Sequence, residues 1–271
     1  MPEIKVNGVK LHYDEAGSGP PLVLIHAFPV GRRMWEPQMV ALAARRRVIA
    51  YDARGFGLSD APREAERYSG AIAVEDARAL LEGLGALPAA VCGLSMGGNI
   101  AVNLALAHPR AVSALVACDT GAGSEDAAAF AVRCGEYAAA AERGIDAFVE
   151  AAFGWAVFAD YGAQGPAQAA RLRELVRAQP PHGVAMIARH VLAPRKPIYA
   201  LEPGLRALRV PTLVIYGERD EACVQSSEFL GRVIPGAQLW KVPGATHFVN
   251  LDEPAAFNKR ILEFLNGLGR S

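Results

Sequence analysis

The sequence predicts an α/β fold, a mostly parallel central sheet flanked by helices, with a helical insertion late in the chain. Three observations predict it. Short, continuous apolar runs rich in branched residues recur, the pattern of strands buried on both faces. Helix-like stretches separate them, as right-handed crossovers between parallel strands require. This rhythm stops near Gly121 and resumes after Leu208.

The elements follow in order. "EIKVNGVKLHYDE" reads as two alternating β-runs around Asn7-Gly8, a pair that readily takes the positive φ angles of a type I′ hairpin turn. "PLVLIHAF" is the first buried strand, "WEPQMVALAARR" a helix, and "RVIAYD" the next strand. "SGAIAVEDARALLEGLGA" reads as an amphipathic helix with Ile72, Ala79, Leu80 and Leu84 near one face. "AAVCGLS" is a strand, "MGGNIAVNLALAHP" a helix ended by Pro109, and "VSALVACDT" a strand. Four helix-like stretches then follow without a strand between them. "VPTLVIYGERD", a helix near "SSEFLGRVI", the strand "AQLWKVPG" and a helix from Glu253 to Leu268 complete the sheet pattern. The expected organisation is a core of residues 1–120 and 209–271, interrupted by a helical cap of residues 121–208.

Composition narrows the function classes. The 28 basic and 28 acidic side chains cancel, so no net field draws the chain to nucleic acid or an anionic membrane. No apolar run is long enough to span a bilayer, and the N-terminal stretch lacks the basic start and apolar core of a secretory signal. The four cysteines are scattered, without CxxC or metal-ligand spacing, which predicts buried thiols in a cytoplasmic protein. No metal or organic cofactor is called for.

"VCGLSMGGN" places Ser95 between a buried strand and a helix, flanked by Gly93 and Gly97. A serine on a sharp strand-to-helix turn is the setting of a nucleophile elbow. The flanking glycines leave room where side chains would clash, and Gly98 lets the new helix pack closely on the sheet. The helix N-terminus aims unpaired N–H groups at the space above Ser95. A serine hydroxyl needs a base, and "PGATHFVNLDEP" supplies His247 after the last strand. Asp220 in "LVIYGERDEACV" stands beyond the C-terminal end of a buried strand, where it can hold one imidazole nitrogen; Asp119 also ends a strand and offers the same service.

Through "LVLIHAFP", "YDARGFGLSD", "GLSMGG", "VPTLVIYGERD" and "PGATHF", nearly its whole length, the chain resembles the α/β-hydrolase family, in its serine-nucleophile branch. The resemblance implies that family's fold, with a cap inserted after the sixth strand of the common core. It implies Ser95 as nucleophile, His247 as general base, Asp220 as orienting acid, and the backbone N–H groups of Phe28 and Met96 as the oxyanion hole. Ala27 stands where the family usually has glycine, which costs little if its φ is negative. Loss of an oxyanion donor would cost about 3–4 kcal/mol of transition-state stabilisation.

Other polar residues are expected to be structural. His26 fastens the loop after the first buried strand, and Asp52, Arg54 and Ser59 form a tight-turn network. Glu218 and Glu221 are solvated loop residues, His12 lies in the hairpin, His108 at a helix end, and His182 and His190 in the cap.

Family members that open epoxides or carbon–halogen bonds use a carboxylate at the nucleophile position; Ser95 implies acyl transfer instead. "HAFP" and "RRMWEPQ" are similar to segments of enol-lactonases and small carboxylesterases. The expected partner is therefore a small ester or lactone, in an apolar pocket lined by Phe28, Trp35, Met96, Trp155, Phe158 and Phe248. A carbon–carbon hydrolase or perhydrolase on the same residues is the alternative, although Phe248 stands where ring-fission hydrolases commonly have tryptophan. A ligand sensor on a hydrolase scaffold is a further alternative, separated from an enzyme by turnover on an ester panel.

Overall fold

The computed structural model describes residues 2–268; Met1 and residues 269–271 of the expected core lie outside the described residues. Asn7 and Gly8 take φ values of 47° and 75°, so β1 (Glu3–Val6) and β2 (Val9–Ala16) close as the tight hairpin expected, with Val6 opposite Val9. The chain continues through β3 (Pro21–Ile25), α1 (Glu36–Ala43), β4 (Arg47–Tyr51) and α2 (Gly70–Gly83). Next come β5 (Ala89–Leu94), α3 (Met96–Ala107) and β6 (Val112–Cys118). Only helices follow before the next strand: α4 (Ala127–Glu142), α5 (Ile145–Ala152), α6 (Ala156–Gly162), α7 (Pro166–Arg177), α8 (Pro181–Ile187), a wider π turn over Ala188–Leu192, and α9 (Glu202–Ala207). The core resumes with β7 (Thr212–Gly217), α10 (Glu221–Val233), β8 (Gln238–Val242), α11 (Val249–Asp252) and α12 (Pro254–Gly267).

The eight strands form one sheet in the order β1-β2-β4-β3-β5-β6-β7-β8. β1 with β2 and β2 with β4 are antiparallel; every other pair is parallel. Every residue of β5 and β7 is buried, because helices cover both faces of the sheet there. β3 is bonded to β4 on one side and β5 on the other, so the connections leaving β3 and β5 run in opposite directions. Such a switch point leaves a crevice at the carboxyl ends of the strands. The loops after β3 and β5 border it.

One helix face differs from the sequence expectation. The buried positions of α2 are Val74, Asp76, Ala77, Leu80 and Leu81, whereas Ile72, Ala79 and Leu84 are only half-buried. The cause is polar. The Arg54 guanidinium donates to both Asp76 oxygens, at 2.8 and 2.9 Å, and the Asn7 amide adds a third hydrogen bond of 2.9 Å. This buried bidentate pair turns Asp76 toward the sheet and carries the helix face with it.

The helices between β6 and β7 are tied to the core by directed bonds. Gln164 Nε2 donates to Asp252 Oδ1 at 2.6 Å, Gly57 N–H to Gln179 Oε1 at 2.8 Å, and His182 Nε2 to the Pro62 carbonyl at 3.1 Å. No helix among the described residues is long and apolar enough to cross a membrane.

Candidate active site

Ser95 sits between β5 and α3 with φ 57° and ψ −111°, a conformation that L-residues rarely adopt. Its neighbours hold it there. Ser95 N–H donates to the Cys118 carbonyl at 2.8 Å, and its own carbonyl accepts from Asn99 N–H at 2.9 Å. The space is too small for side chains: a Cβ on Gly93 would lie 2.1 Å from the Gly97 oxygen, and one on Gly97 would lie 2.1 Å from the Ile25 oxygen. The Ser95 hydroxyl does not cap the helix it opens. The first-turn N–H groups of α3 lack helical acceptors and carry its positive dipole end.

The loop after β3 is pressed against this turn, since Ile25 is paired with Gly93. His26 fastens it as expected. Its Nε2 accepts from Ala53 N–H at 3.0 Å, which leaves Nδ1 to donate to the Ala27 carbonyl at 2.8 Å. Burial lowers the His26 pKa, consistent with this neutral imidazole. Among the described residues, the non-glycine residues with positive φ are Asn7, Ser95 and Asp119, so Ala27 keeps ordinary backbone angles in the place where the family usually has glycine. Asp52 accepts from the Arg32 guanidinium and backbone N–H, and Ser59 Oγ donates to the Asp52 carbonyl at 2.6 Å. Arg54 leaves this network for Asp76.

His247 and Asp220 meet from neighbouring loops. His247 Nδ1 donates to Asp220 Oδ2 at 2.7 Å, and both residues are buried. Arg219 N–H to the Ala245 carbonyl, 2.9 Å, staples the two loops together. Asp252 Oδ2 accepts from Thr246 N–H and Oγ1, at 2.6 and 2.8 Å, and so sets the residue before the histidine. Glu218, expected to be solvated, also fastens this region through Gly244 N–H at 3.0 Å and Lys241 at 2.9 Å.

Asp119 does not reach the imidazole; its Oδ1 accepts from Gly217 N–H at 2.9 Å. Burial first, and then the charge of Asp220, push the Asp119 carboxyl well above its usual range. Its second oxygen, Oδ2, is buried and has no hydrogen-bond partner. Burial works to raise Asp220 too, but the His247 charge and its hydrogen bond lead the contributions that outweigh it and leave that carboxyl lowered.

The raised Asp119 carboxyl has a measurable consequence. Folded Asp119 keeps a proton that the unfolded chain releases above about pH 4. The group therefore subtracts from stability as pH rises from there toward its raised folded pKa. Asp119→Asn keeps the shape and the donor without the titration. It is expected to match the wild-type melting temperature near pH 4 and exceed it at pH 8, as thermal denaturation at both pH values would show.

Asp220, Cys223 and His247 bring three ligand-type atoms within 4.8 Å of one another. Yet Asp220 and His247 already satisfy each other, and burial pushes the Cys223 thiol up, away from the thiolate a metal would want. The geometry suits proton transfer better than coordination.

Above the crevice, rings form a chain from one loop to the other. Phe28 stacks on Tyr137 at 5.7 Å, Tyr137 touches Trp155 at 4.1 Å, Trp155 meets Phe158 at 6.1 Å, and Phe158 meets Phe248 at 5.8 Å. Phe148 braces Phe28 and Trp155, at 6.1 and 5.5 Å. Four of the rings expected near the pocket thus cluster, and Tyr137 and Phe148 join them unforeseen. Trp35, also expected at the pocket, is fully buried with its ring 6.1 Å from that of Phe257 in α12.

The comparisons with known proteins agree with this architecture. Residues 20–254 match the family model described as alpha/beta hydrolase fold. Bifunctional epoxide hydrolase 2 from Sus scrofa is 41% identical over 114 residues, covering 42% of this chain but only 20% of that protein's length. 2-Hydroxymuconate semialdehyde hydrolase from a Pseudomonas species is 31% identical over 97% of this chain and 93% of that protein. The crystal structure of the enol-lactonase from Burkholderia xenovorans covers 98% of this chain and 100% of its own, at 30% identity and a TM-score of 0.83. A strand order that makes a switch point, a strained turn inside it and a family match over residues 20–254 lead to one conclusion: the chain belongs to the alpha/beta hydrolase fold family.

Proposed function

We propose that this chain is a cofactor-independent serine hydrolase that cleaves small carboxylic esters or lactones through an acyl-enzyme. The observation that carries the proposal is the buried His247–Asp220 pair at the carboxyl ends of the strands, on the same sheet edge as Ser95 on its strained turn. Because Nδ1 of His247 donates to Asp220, Nε2 is the basic nitrogen that takes the Ser95 proton as the hydroxyl attacks the acyl carbon. Phe28 and Met96 N–H receive the oxyanion. His247 then protonates the leaving alkoxide, and the same nitrogen activates water to release the acid. Asp220 stays ionised throughout and stabilises the imidazolium. The aromatic chain keeps bulk water from the acyl group and gives it an apolar seat.

Serine also argues against the chemistry named in the epoxide hydrolase relative. Opening an epoxide on Ser95 would leave an ether, which His247 and water cannot hydrolyse; an acyl ester they can. A second reading, carbon–carbon cleavage beside an acyl carbonyl, is favoured by the full-length semialdehyde hydrolase relative. It uses the same residues and is told apart by its product. The four buried, unpaired thiols suit a reducing, cytoplasmic setting.

The test is labelling with a fluorophosphonate, followed by peptide mass mapping and turnover of p-nitrophenyl acetate and butyrate. The expected result is one phosphonyl group on Ser95, steady turnover, and loss of both in Ser95→Ala. Full turnover by Ser95→Ala would overturn the proposal. Labelling without turnover on any ester would favour the sensor.

A further inference from the structure

The end of β6 presents three successive carbonyls, and different parts of the candidate site claim them. The Cys118 carbonyl accepts from Ser95 N–H at 2.8 Å and so anchors the strained turn. The Asp119 carbonyl accepts from the Cys223 thiol at 3.2 Å, and the Thr120 carbonyl from the Ser226 hydroxyl at 2.9 Å. Cys223 and Ser226 both belong to α10, the helix that begins directly after Asp220. Three residues apart, they share one face of it.

The segment offering these carbonyls is held in place. Asp119 has a φ of 43°, uncommon for an L-residue. Its N–H donates to the Ile215 carbonyl at 2.9 Å, and its Oδ1 accepts from Gly217 N–H. Thr120 Oγ1 donates to the Cys118 carbonyl at 2.9 Å. It packs so closely on α3 that a Cβ on Gly98 would lie 1.9 Å from it. A Cβ on Gly121 would lie 2.6 Å from that of Ser226.

Both α10 donors reach out of their helix. A buried helix hydroxyl ordinarily returns its proton to a carbonyl one turn back. Ser226 Oγ approaches the Cys223 carbonyl at 3.1 Å, but its shorter bond goes to Thr120. Burial pushes the Cys223 thiol up, so it stays a protonated donor, and its sulfur lies 3.9 Å from His247 Nδ1. Asp119, Thr120, Cys223 and Ser226 are all buried, so bulk water does not replace a lost bond.

We propose that Cys223 and Ser226 are positioning residues, which fasten the helix that follows Asp220 to the segment that anchors Ser95 and so fix the reach of His247 to the nucleophile. The assignment rests on the serine-hydrolase reading and deepens it. Asp220 stands at the head of α10, so a shift of that helix along β6 carries the carboxylate with it. The imidazole bonded to that carboxylate follows. Misplacing reacting groups by about 1 Å can cost about 10²-fold in rate.

The experiment separates position from stability. The variants are Ser226→Ala, Cys223→Ala, Cys223→Ser, which keeps a donor, and Val233→Ala, which removes buried packing at the far end of α10. The readouts are the rate and extent of labelling by a fluorophosphonate, steady-state kinetics on p-nitrophenyl butyrate, and melting temperature. Both alanine variants at the clamp are expected to label to one group per chain but about tenfold more slowly, with kcat lowered alike and KM within about twofold. Cys223→Ser is expected to stay within about threefold of wild type, and Val233→Ala to melt earlier yet label at the wild-type rate. Wild-type labelling rates in Ser226→Ala and Cys223→Ala, or a Cys223→Ser variant as slow as Cys223→Ala, would overturn the proposal. A reduced labelled fraction at an unchanged rate would mark a merely structural role and overturn it too. Should Ser226→Ala fail to fold, the two Cys223 variants carry the same comparison. A wild-type chain that neither labels nor turns over any ester would reject the hydrolase reading, and the positioning roles with it.

Discussion

Replacing His247 by glutamine is expected to lower kcat for p-nitrophenyl butyrate by at least about 10³-fold, with little change in KM. Glutamine can fill the volume and donate to Asp220, but it cannot take a proton from Ser95 and return it to a leaving group. Asp220→Asn should be nearly as damaging for a different reason. The asparagine would offer an N–H to His247 Nδ1, where the carboxylate now accepts at 2.7 Å. The imidazole would then hold its proton on Nε2, the wrong tautomer for a base. Asp119→Asn is expected to stay within about threefold of wild type, because the imidazole pairs with Asp220, and an asparagine oxygen can still accept from Gly217 N–H as Asp119 does. Steady-state kinetics on the three variants read the order directly. A His247→Gln enzyme within tenfold of wild type, or an Asp119 variant more damaged than the Asp220 variant, would contradict the assigned roles.

Gly97→Ala is the second large effect. The new methyl group would meet the Ile25 oxygen at 2.1 Å and the His26 oxygen at 2.7 Å. Both are backbone atoms of a strand end, so neither can swing away as a flexible side chain would. The strain is relieved only by moving α3 from the β3 loop, which separates Met96 N–H from Phe28 N–H. Overpacking of this kind costs about 1–3 kcal/mol or more, or several degrees of melting temperature in a domain of this size. Parting the two donors is expected to lower kcat by about 10²-fold in addition. Gly70→Ala is the matched control: its Cβ would meet nothing within 4 Å, and the melting temperature should not fall. If the Gly97 and Gly70 variants behaved alike, the close approach of turn and loop would not matter to function.

The strands, the strained turn at Ser95 and the pairing of His247 with Asp220 were legible because their signals are local. A buried parallel strand reads as a continuous apolar run, a turn at Asn7-Gly8 declares itself by its φ preferences, and the end of a buried strand marks where polar groups gather in such folds. What was not legible depended on partners far along the chain. The face of α2 is chosen by an ion pair from Arg54 to Asp76, which apolar periodicity cannot register. Trp35 and Phe28 look equally suited to a pocket in sequence, and only the docking of α12 sends the first into the core. Tyr137 and Phe148 joined the aromatic cluster because α4 packs on α5, a pairing no short motif encodes. Asp119 and Asp220 each end a strand; their division into a protonated and an ionised partner exists only once both are buried together.

The Asp252 carboxylate has a wider consequence. One oxygen fixes the residue before His247, and the other is held by Gln164 from the helices that cover the crevice. A movement of those helices away from the core would strain the Gln164 bond, and with it the carboxylate that fixes the residue before the imidazole. If ligand entry opens that cover, the mobility of the loop carrying His247 would follow it. Relaxation-dispersion measurements on the His247 ring should find its microsecond-to-millisecond exchange moving in step with Gln164.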